Sequence, residues 1–172
     1  MRGRTLRVPD IEGLRPTPSR TREALFNILG DIQDYTILDL FAGSGIMALE
    51  ALSRGASSAL SIDMDRQACK AMKAIQRDWH LDAWRVRQGS LPRALPAATH
   101  FNIIYADPPY GKGLAEQVPL WLARQDITFD TLVIEEATRA HLKWKQANQP
   151  YASRKYGETI LYFFQAGIEG DI

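Results

Sequence analysis

Apolar runs of strand length alternate with segments of helical periodicity along most of the chain. Five runs predict strands: TILDLF from Thr36, ALSID from Ala59, WRVRQ from Trp84, FNIIYAD from Phe101 and TLVIEE from Thr131. Intervening segments such as IMALEALSRGA and RQACKAMKAIQRDW carry apolar or small residues at the spacing of a helix face. This alternation predicts an α/β fold with a mostly parallel, doubly wound sheet covered by helices on both faces.

The two ends of the chain depart from that alternation. Near the start, Thr17 is placed to cap a helix that ends before Gly30. At the far end, Gly157 separates two strand-like runs, which predicts an antiparallel hairpin over 150–165 that closes a sheet of about seven strands. No linker is evident, so we expect one domain over 1–172.

Composition narrows the class of protein. At 172 residues, with 45% hydrophobic and 24% charged residues, the chain matches ordinary globular domains. Its apolar runs are too short to span a bilayer, so no membrane partner is expected. The single cysteine, Cys69, excludes an intramolecular disulfide. The basic residues at the start are not followed by the apolar segment of a signal peptide, so no signal peptide is expected. We therefore expect a cytoplasmic protein. A monomer is a separate expectation, which composition does not decide.

The net charge of +1 conceals a segregation of charge along the chain. Six arginines stand against two acidic residues in 1–22, and 137–157 holds five lysines and arginines with no acidic residue. The remainder is net acidic. This distribution favours a surface that faces a polyanion, although a solvated face explains either cluster almost as well. The candidate contacts are Arg15, Arg20, Arg22, Arg154 and Lys155.

A glycine turn follows the first predicted strand in LDLFAGSGIMALEA. Gly43 and Gly45 allow positive φ and close approach of a ligand, and the next helix directs its first amide groups to the same place. Asp63 lies eighteen positions beyond Gly45, at the end of the second strand. A carboxylate there can accept the hydroxyls of a ribose, which indicates a nucleoside-bearing cofactor.

Other interpretations of this turn remain open. Gly43, Gly45 and Ala48 also satisfy the dinucleotide fingerprint G-x-G-x-x-A. Asp39, inside the preceding strand, would repel a pyrophosphate but could reach a cationic amino acid head group. The structural alternative is a tight strand-to-helix turn in which Asp39 only makes hydrogen bonds within the protein. Ser90, after the third strand, could form a hydrogen bond with an adenine, or it could be an ordinary turn residue or helix cap.

The fourth strand ends in ADPPYGKG. Ligands of doubly wound sheets bind beyond the carboxyl ends of the strands, so Asp107 is expected to face the same cleft as the glycine turn. Pro108 and Pro109 have fixed φ and no amide hydrogen, which leaves rigid carbonyl acceptors. The Asp107 carboxylate and the Pro108 carbonyl could hold the two hydrogens of a nucleobase amine. Tyr110 would stack on the base, and a sulfonium cofactor would place a methyl group in line with the nitrogen.

Other polar residues carry weaker signals. Glu135 and Glu136 end the fifth strand, where a solvated strand end is the expectation. The three histidines lack metal-ligand spacing, so no metal site is predicted.

Five motifs together resemble a known family. LRPTPSRTREALFNIL, LDLFAGSG, SIDMD, ADPPYGKG and KYGETILYFF follow the order, and nearly the spacing, of the RsmD-like methyltransferases. The resemblance spans Gly3 to Phe164 and implies a Rossmann-like methyltransferase fold with a cofactor-binding core at 36–135 and a basic segment and helix at 1–30. It further implies transfer of a methyl group from S-adenosylmethionine to the N2 amine of a guanine in small-subunit ribosomal RNA, within a ribonucleoprotein.

The resemblance also implies roles at individual positions. The methionine portion of the cofactor would be held by Asp39, Phe41, Gly43 and Gly45, the ribose by Asp63 and the adenine by Ser90. The target base would be held by Asp107, Pro108, Pro109 and Tyr110. The entrance for cofactor or RNA would be covered by Arg15 and Thr17. Three departures stand out: an initial strand that many relatives have is expected to be missing, Asp63 replaces a glutamate, and Ser90 replaces an aspartate or asparagine.

Alternatives to this function remain. An adenine-N6 DNA methyltransferase would use the same chemistry, although such enzymes usually need a separate recognition domain. A non-catalytic RNA-binding or assembly protein could keep the fold without turnover. A nicotinamide oxidoreductase is the remaining reading of the glycine turn.

Overall fold

The computed structural model of the protein describes residues 19–140 and 142–165. Arg15 and Thr17 lie outside these residues. The elements follow in the order α1 Ser19–Leu29, β1 Thr36–Leu40, α2 Ile46–Ser53, β2 Ser58–Asp63, α3 Arg66–Asp78, β3 Trp84–Gln88, β4 His100–Ala106, α4 Val118–Arg124, β5 Thr128–Ala137, β6 Ala152–Tyr156 and β7 Thr159–Gln165. Short 3-10 turns precede α4 and β6.

The seven strands form one sheet in the order β3-β2-β1-β4-β5-β7-β6. Strand β2 runs parallel to both β1 and β3, and β4 runs parallel to β5. Strand β7 is antiparallel to both β5 and β6. The predicted α/β fold, with a mostly parallel sheet and an antiparallel C-terminal hairpin, is confirmed.

The chain divides into two compact units between Ala94 and Leu95. In the first unit, β1 to β3 alternate with α2 and α3, as the apolar pattern predicts. Its core includes the fully buried side chains of Leu38, Leu40, Met72 and Trp84. That the whole of 1–172 is a single domain stays a prediction.

The second unit contains β4 to β7 and α4. Strand β5 lies between β4 and β7, and its central residues Leu132 to Ile134 have no exposed surface. Burial of a continuous apolar run is expected for a strand that is covered on both faces. Phe163 of β7 and Leu122 of α4 add to this core.

The described residues contain neither a candidate membrane span nor a candidate metal cluster. No helix there combines the length and the apolar character that a membrane crossing requires. The same residues contain no cluster of three or more histidine, cysteine or carboxylate side chains arranged to hold a metal ion.

Candidate active site

The glycine turn of the first unit joins β1 to α2 through left-handed backbone. Phe41, Gly43 and Gly45 have φ of 58°, 54° and 73°. At Gly45 a Cβ atom would lie 2.5 Å from the ring of Trp84 and 2.8 Å from the sulfur of Met72. Glycine is therefore required at 45 by the packing beneath the turn as well as by φ. Ligand contact on its other side stays a prediction.

Asp63 holds this turn in place. Its Oδ2 accepts a hydrogen bond from the Gly43 amide at 2.7 Å, and its Oδ1 accepts one from the Asp65 amide at 2.8 Å. Each carboxylate oxygen has a second lone pair, so the side chain keeps capacity for two hydroxyl donors. The Gly89 amide donates to the backbone carbonyl of Asp63 at 2.8 Å, which brings the segment before exposed Ser90 beside it.

Asp39 lies beneath the same turn and is 1% exposed. Its Oδ2 accepts from the Ser61 hydroxyl at 3.2 Å, and that hydroxyl oxygen accepts from the Trp84 indole N–H at 3.0 Å. Burial raises the pKa of Asp39 to about 7, partly opposed by the Ser61 hydrogen bond and slightly reinforced by the charge of Asp63. The carboxylate is thus close to its protonation midpoint at neutral pH, and a nearby cation would favour its ionised form.

The second unit carries the Asp-Pro-Pro-Tyr turn directly after β4. Asp107 and Tyr110 are half-buried, Pro108 is buried and Pro109 is exposed. The Tyr110 hydroxyl donates to Glu135 Oε1 at 2.6 Å, and the Tyr105 hydroxyl donates to Glu135 Oε2. Tyr110 is therefore fixed at both ends, by the turn itself and by a carboxylate of β5.

Glu136 holds the next residue of the turn. Its carboxylate accepts from the Gly111 amide at 3.2 Å and from its neighbour's amide, that of Ala137, at 2.8 Å. Because consecutive strand residues face opposite sides of a sheet, Glu135 and Glu136 secure the turn from both sides.

The expectation that these two glutamates form a solvated strand end is wrong. Glu135 and Glu136 both have 0% exposure. Their burial is tolerated because hydroxyl and amide donors satisfy the carboxylates. The available sequence signal was an apolar strand, TLVIEE, that ends in two carboxylates next to a predicted ligand-binding strand end.

Tyr110 remains protonated over the physiological range. Burial raises its pKa well above the usual value, and the negative charges of Asp107 and Glu135 raise it further. The phenol therefore serves as a hydrogen-bond donor to Glu135 and supplies no general base.

The predicted nucleic-acid contacts are on the surface where the structure describes them. Arg20 of α1 and both Arg154 and Lys155 of β6 are exposed. Arg22 is half-buried, with Nε 4.0 Å from Glu50 Oε2. Their role as contacts stays a prediction.

Comparison with known proteins places the chain in a family. The family model described as conserved hypothetical protein 95 matches residues 1–165. The chain belongs to this family. It is 44% identical over 182 aligned residues to ribosomal RNA small subunit methyltransferase D of Escherichia coli strain K12, an alignment that covers 99% of this chain and 88% of that protein. The resemblance to the RsmD-like methyltransferases is confirmed.

Solved structures agree with the fold. The Escherichia coli protein yhhF superposes with a TM-score of 0.82 at 33% identity, covering 95% of this chain and 92% of that one. An RNA methyltransferase from Salinibacter ruber, solved in complex with S-adenosyl-L-homocysteine, gives 0.67 at 16% identity, with 91% and 98% covered. At that identity the likeness shows the fold alone, and the predicted methyltransferase fold is confirmed.

Proposed function

We propose that this protein is an S-adenosylmethionine-dependent methyltransferase that modifies the N2 amine of a guanine in small-subunit ribosomal RNA. The observation that carries the proposal is the 44% identity, over nearly the whole chain, to ribosomal RNA small subunit methyltransferase D. The rigidly held Asp-Pro-Pro-Tyr turn supports the same chemistry independently. An assembling small subunit as substrate, a monomeric state and a cytoplasmic location belong to this proposal.

The cofactor is assigned to the first unit, and the hydrogen-bonding groups there fit it. Asp39 supplies a buried carboxylate for the amino group of the methionine portion, beside Phe41, Gly43 and Gly45 of the turn. Asp63 retains two acceptor positions, which matches the two hydroxyls of a ribose. Ser90 is exposed, so its hydroxyl can be reached by an adenine. When bound, the sulfonium supplies an electrophilic methyl group.

The target amine is assigned to the turn of the second unit. The Asp107 carboxylate and the Pro108 carbonyl accept its two hydrogens, which draws the nitrogen toward tetrahedral geometry and releases its lone pair from the ring. Pro109 stiffens the turn, and Tyr110 stacks on the base with its plane fixed by Glu135. The nitrogen becomes acidic only after it has gained a methyl group, so Asp107 or water then suffices to take its proton.

RNA is assigned to the basic residues at the two ends of the chain. Arg20, Arg22, Arg154 and Lys155 would contact phosphate groups, together with Arg15 near the start. Such contacts make RNA affinity fall steeply as salt is raised.

The deciding experiment is transfer of radiolabelled methyl groups to unmodified small subunits, naked ribosomal RNA and DNA in parallel, followed by nucleoside identification. We expect N2-methylguanosine, formed most rapidly in the assembled subunit. Methyladenine in DNA would replace the proposal with the adenine-N6 alternative. Binding of RNA without label transfer to any substrate would instead indicate a non-catalytic assembly protein.

A further inference from the structure

A further cationic surface lies in the first unit, outside the two basic segments at the ends of the chain. The exposed residues Arg66, Lys70, Lys73 and Arg77 of α3 follow one another at spacings of four, three and four. This spacing places them on one face of the helix. The face extends for about 16 Å, at 1.5 Å per residue.

A groove of about 560 Å³ runs beside this helix face. Lys73 of α3 lines it together with Arg85 and Arg87 of β3, and its other lining residues are uncharged. Strand β3 is an edge of the seven-stranded sheet. We call the exposed cations of α3 and β3 together the α3–β3 surface.

The carboxylates of the same stretch do not neutralise this surface. Asp63 and Asp65 direct their oxygens to backbone amides, and Asp65 caps α3. Asp78 and Asp82 come after Arg77 in the chain, and Asp82 lines a second pocket with Arg77 at the C-terminal end of the cationic face. Within the described part of the chain, the side chains of Arg66, Lys70, Lys73 and Arg85 form no ion pair. Their positive potential is therefore directed to solvent.

We propose that the α3–β3 surface binds phosphate groups of the RNA backbone outside the target nucleotide. Unpaired cations on flexible stems keep their hydration until a polyanion arrives, and each phosphate they neutralise releases a counterion. Such contacts position the RNA without reading its sequence. The proposal rests on the proposed function only in that its partner is RNA.

Charged residues on an edge strand also discourage pairing with other strands. That role concerns Arg85 and Arg87 alone, and it leaves the stripe on α3 unexplained. The two roles differ in their consequences, because protection of an edge predicts no change in RNA affinity when the charge is altered.

The test is binding of unmodified small-subunit ribosomal RNA over a series of KCl concentrations. We expect Arg85→Glu and Lys73→Glu each to weaken binding and to lower the slope of log affinity against log salt by about one. The matched control is Arg124→Glu, which reverses an exposed arginine of α4 and should keep the wild-type slope. Calorimetry with S-adenosylmethionine verifies that each variant is folded. If Arg85→Glu or Lys73→Glu fails to bind the cofactor, the glutamine variant at the same position, Arg85→Gln or Lys73→Gln, takes its place.

The outcomes separate this inference from the proposed function. If the wild-type chain binds neither unmodified ribosomal RNA nor unmodified small subunits at any salt concentration, both the proposed function and the α3–β3 surface are contradicted. If the wild type binds and the α3 and β3 variants keep its slope, the α3–β3 surface is excluded while the proposed function stands. An equal loss in Arg124→Glu would show a general effect of net charge and would overturn the assignment to this surface.

Discussion

The hydroxyl of Tyr110 donates a 2.6 Å hydrogen bond to Glu135, a fully buried carboxylate of the neighbouring strand. The ring that is assigned to the target base is thus oriented by β5 rather than by its own turn alone. Hydrogen bonds to a charged acceptor are stronger than neutral ones, and in a buried setting they hold a narrow range of ring orientations. Orientation of this kind contributes directly to the rate of a transfer that needs in-line geometry.

Tyr110→Phe should therefore lower methyl transfer while leaving the stacking surface intact. A hydrogen bond to a charged group is worth about 1.5 to 3 kcal/mol, which corresponds to roughly a ten- to hundredfold loss in kcat/KM. Affinity for S-adenosylmethionine should not change. Steady-state transfer to ribosomal RNA and calorimetry with the cofactor measure the two quantities separately.

Tyr105→Phe is the matched control for Tyr110→Phe, since it removes the other hydroxyl that Glu135 accepts. Tyr105 lies within β4, so this variant should reduce stability with much less effect on turnover. Equal losses of kcat/KM in the two variants would mean that Glu135 acts through general stability and does not orient the Tyr110 ring.

Asp107→Ala should reduce methyl transfer at least a hundredfold, because a preorganised acceptor of the reacting amine is lost. Asp107→Asn should retain part of the activity, since its amide oxygen still accepts one hydrogen. Cofactor affinity should be unchanged in both variants, because the cofactor is assigned to the other unit. Turnover close to wild type in Asp107→Ala would contradict the assignment of the amine to this turn.

Local sequence patterns predict most of the fold, because strand and helix periodicities are properties of neighbouring residues. The starts of β1 and β3 match the predicted runs, and Gly157 lies between the hairpin strands. Contacts between residues that lie far apart in the chain cannot be predicted from such local patterns. Trp84 under Gly45 and Glu135 behind Tyr110 join positions that lie 39 and 25 residues apart in the chain. No local pattern indicates that Glu135 is buried, because its donors are the hydroxyls of Tyr105 in β4 and Tyr110 in the turn after it.

Asp63→Ala should weaken S-adenosylmethionine binding and also reduce stability. The variant loses the acceptor for the ribose and releases the Gly43 amide that holds the turn. We expect a loss of about 1 to 3 kcal/mol in binding, the range for a buried hydrogen-bonding group left without its partner. Asp65→Ala is the matched control: it removes a helix cap, costs about 1 kcal/mol of stability and should spare cofactor affinity. Unaltered cofactor affinity in Asp63→Ala would contradict the assignment of Asp63 to the ribose.

The raised pKa of Asp39 should make stability and cofactor binding respond to pH in opposite directions. An unfolded aspartate ionises near pH 4, whereas burial holds the folded group protonated up to about pH 7. Between these values the folded state binds the extra proton, so the free energy of unfolding falls as pH rises and levels off above pH 7. The difference of about three pKa units corresponds to about 4 kcal/mol. Urea unfolding at acidic and alkaline pH should show this slope in the wild type and its absence in Asp39→Asn.

Cofactor affinity should instead rise as pH passes through 7, because the ionised Asp39 attracts the amino group of the methionine portion. Asp39→Asn should flatten that profile, which calorimetry with S-adenosylmethionine across the pH range would measure. Ser61→Ala sharpens the test, since the Ser61 hydroxyl donates to Asp39 and lowers its pKa. Removal of that donor should move the midpoint of the binding profile to higher pH without abolishing it. A profile that is the same in the wild type and in Asp39→Asn would show that another group controls the pH dependence.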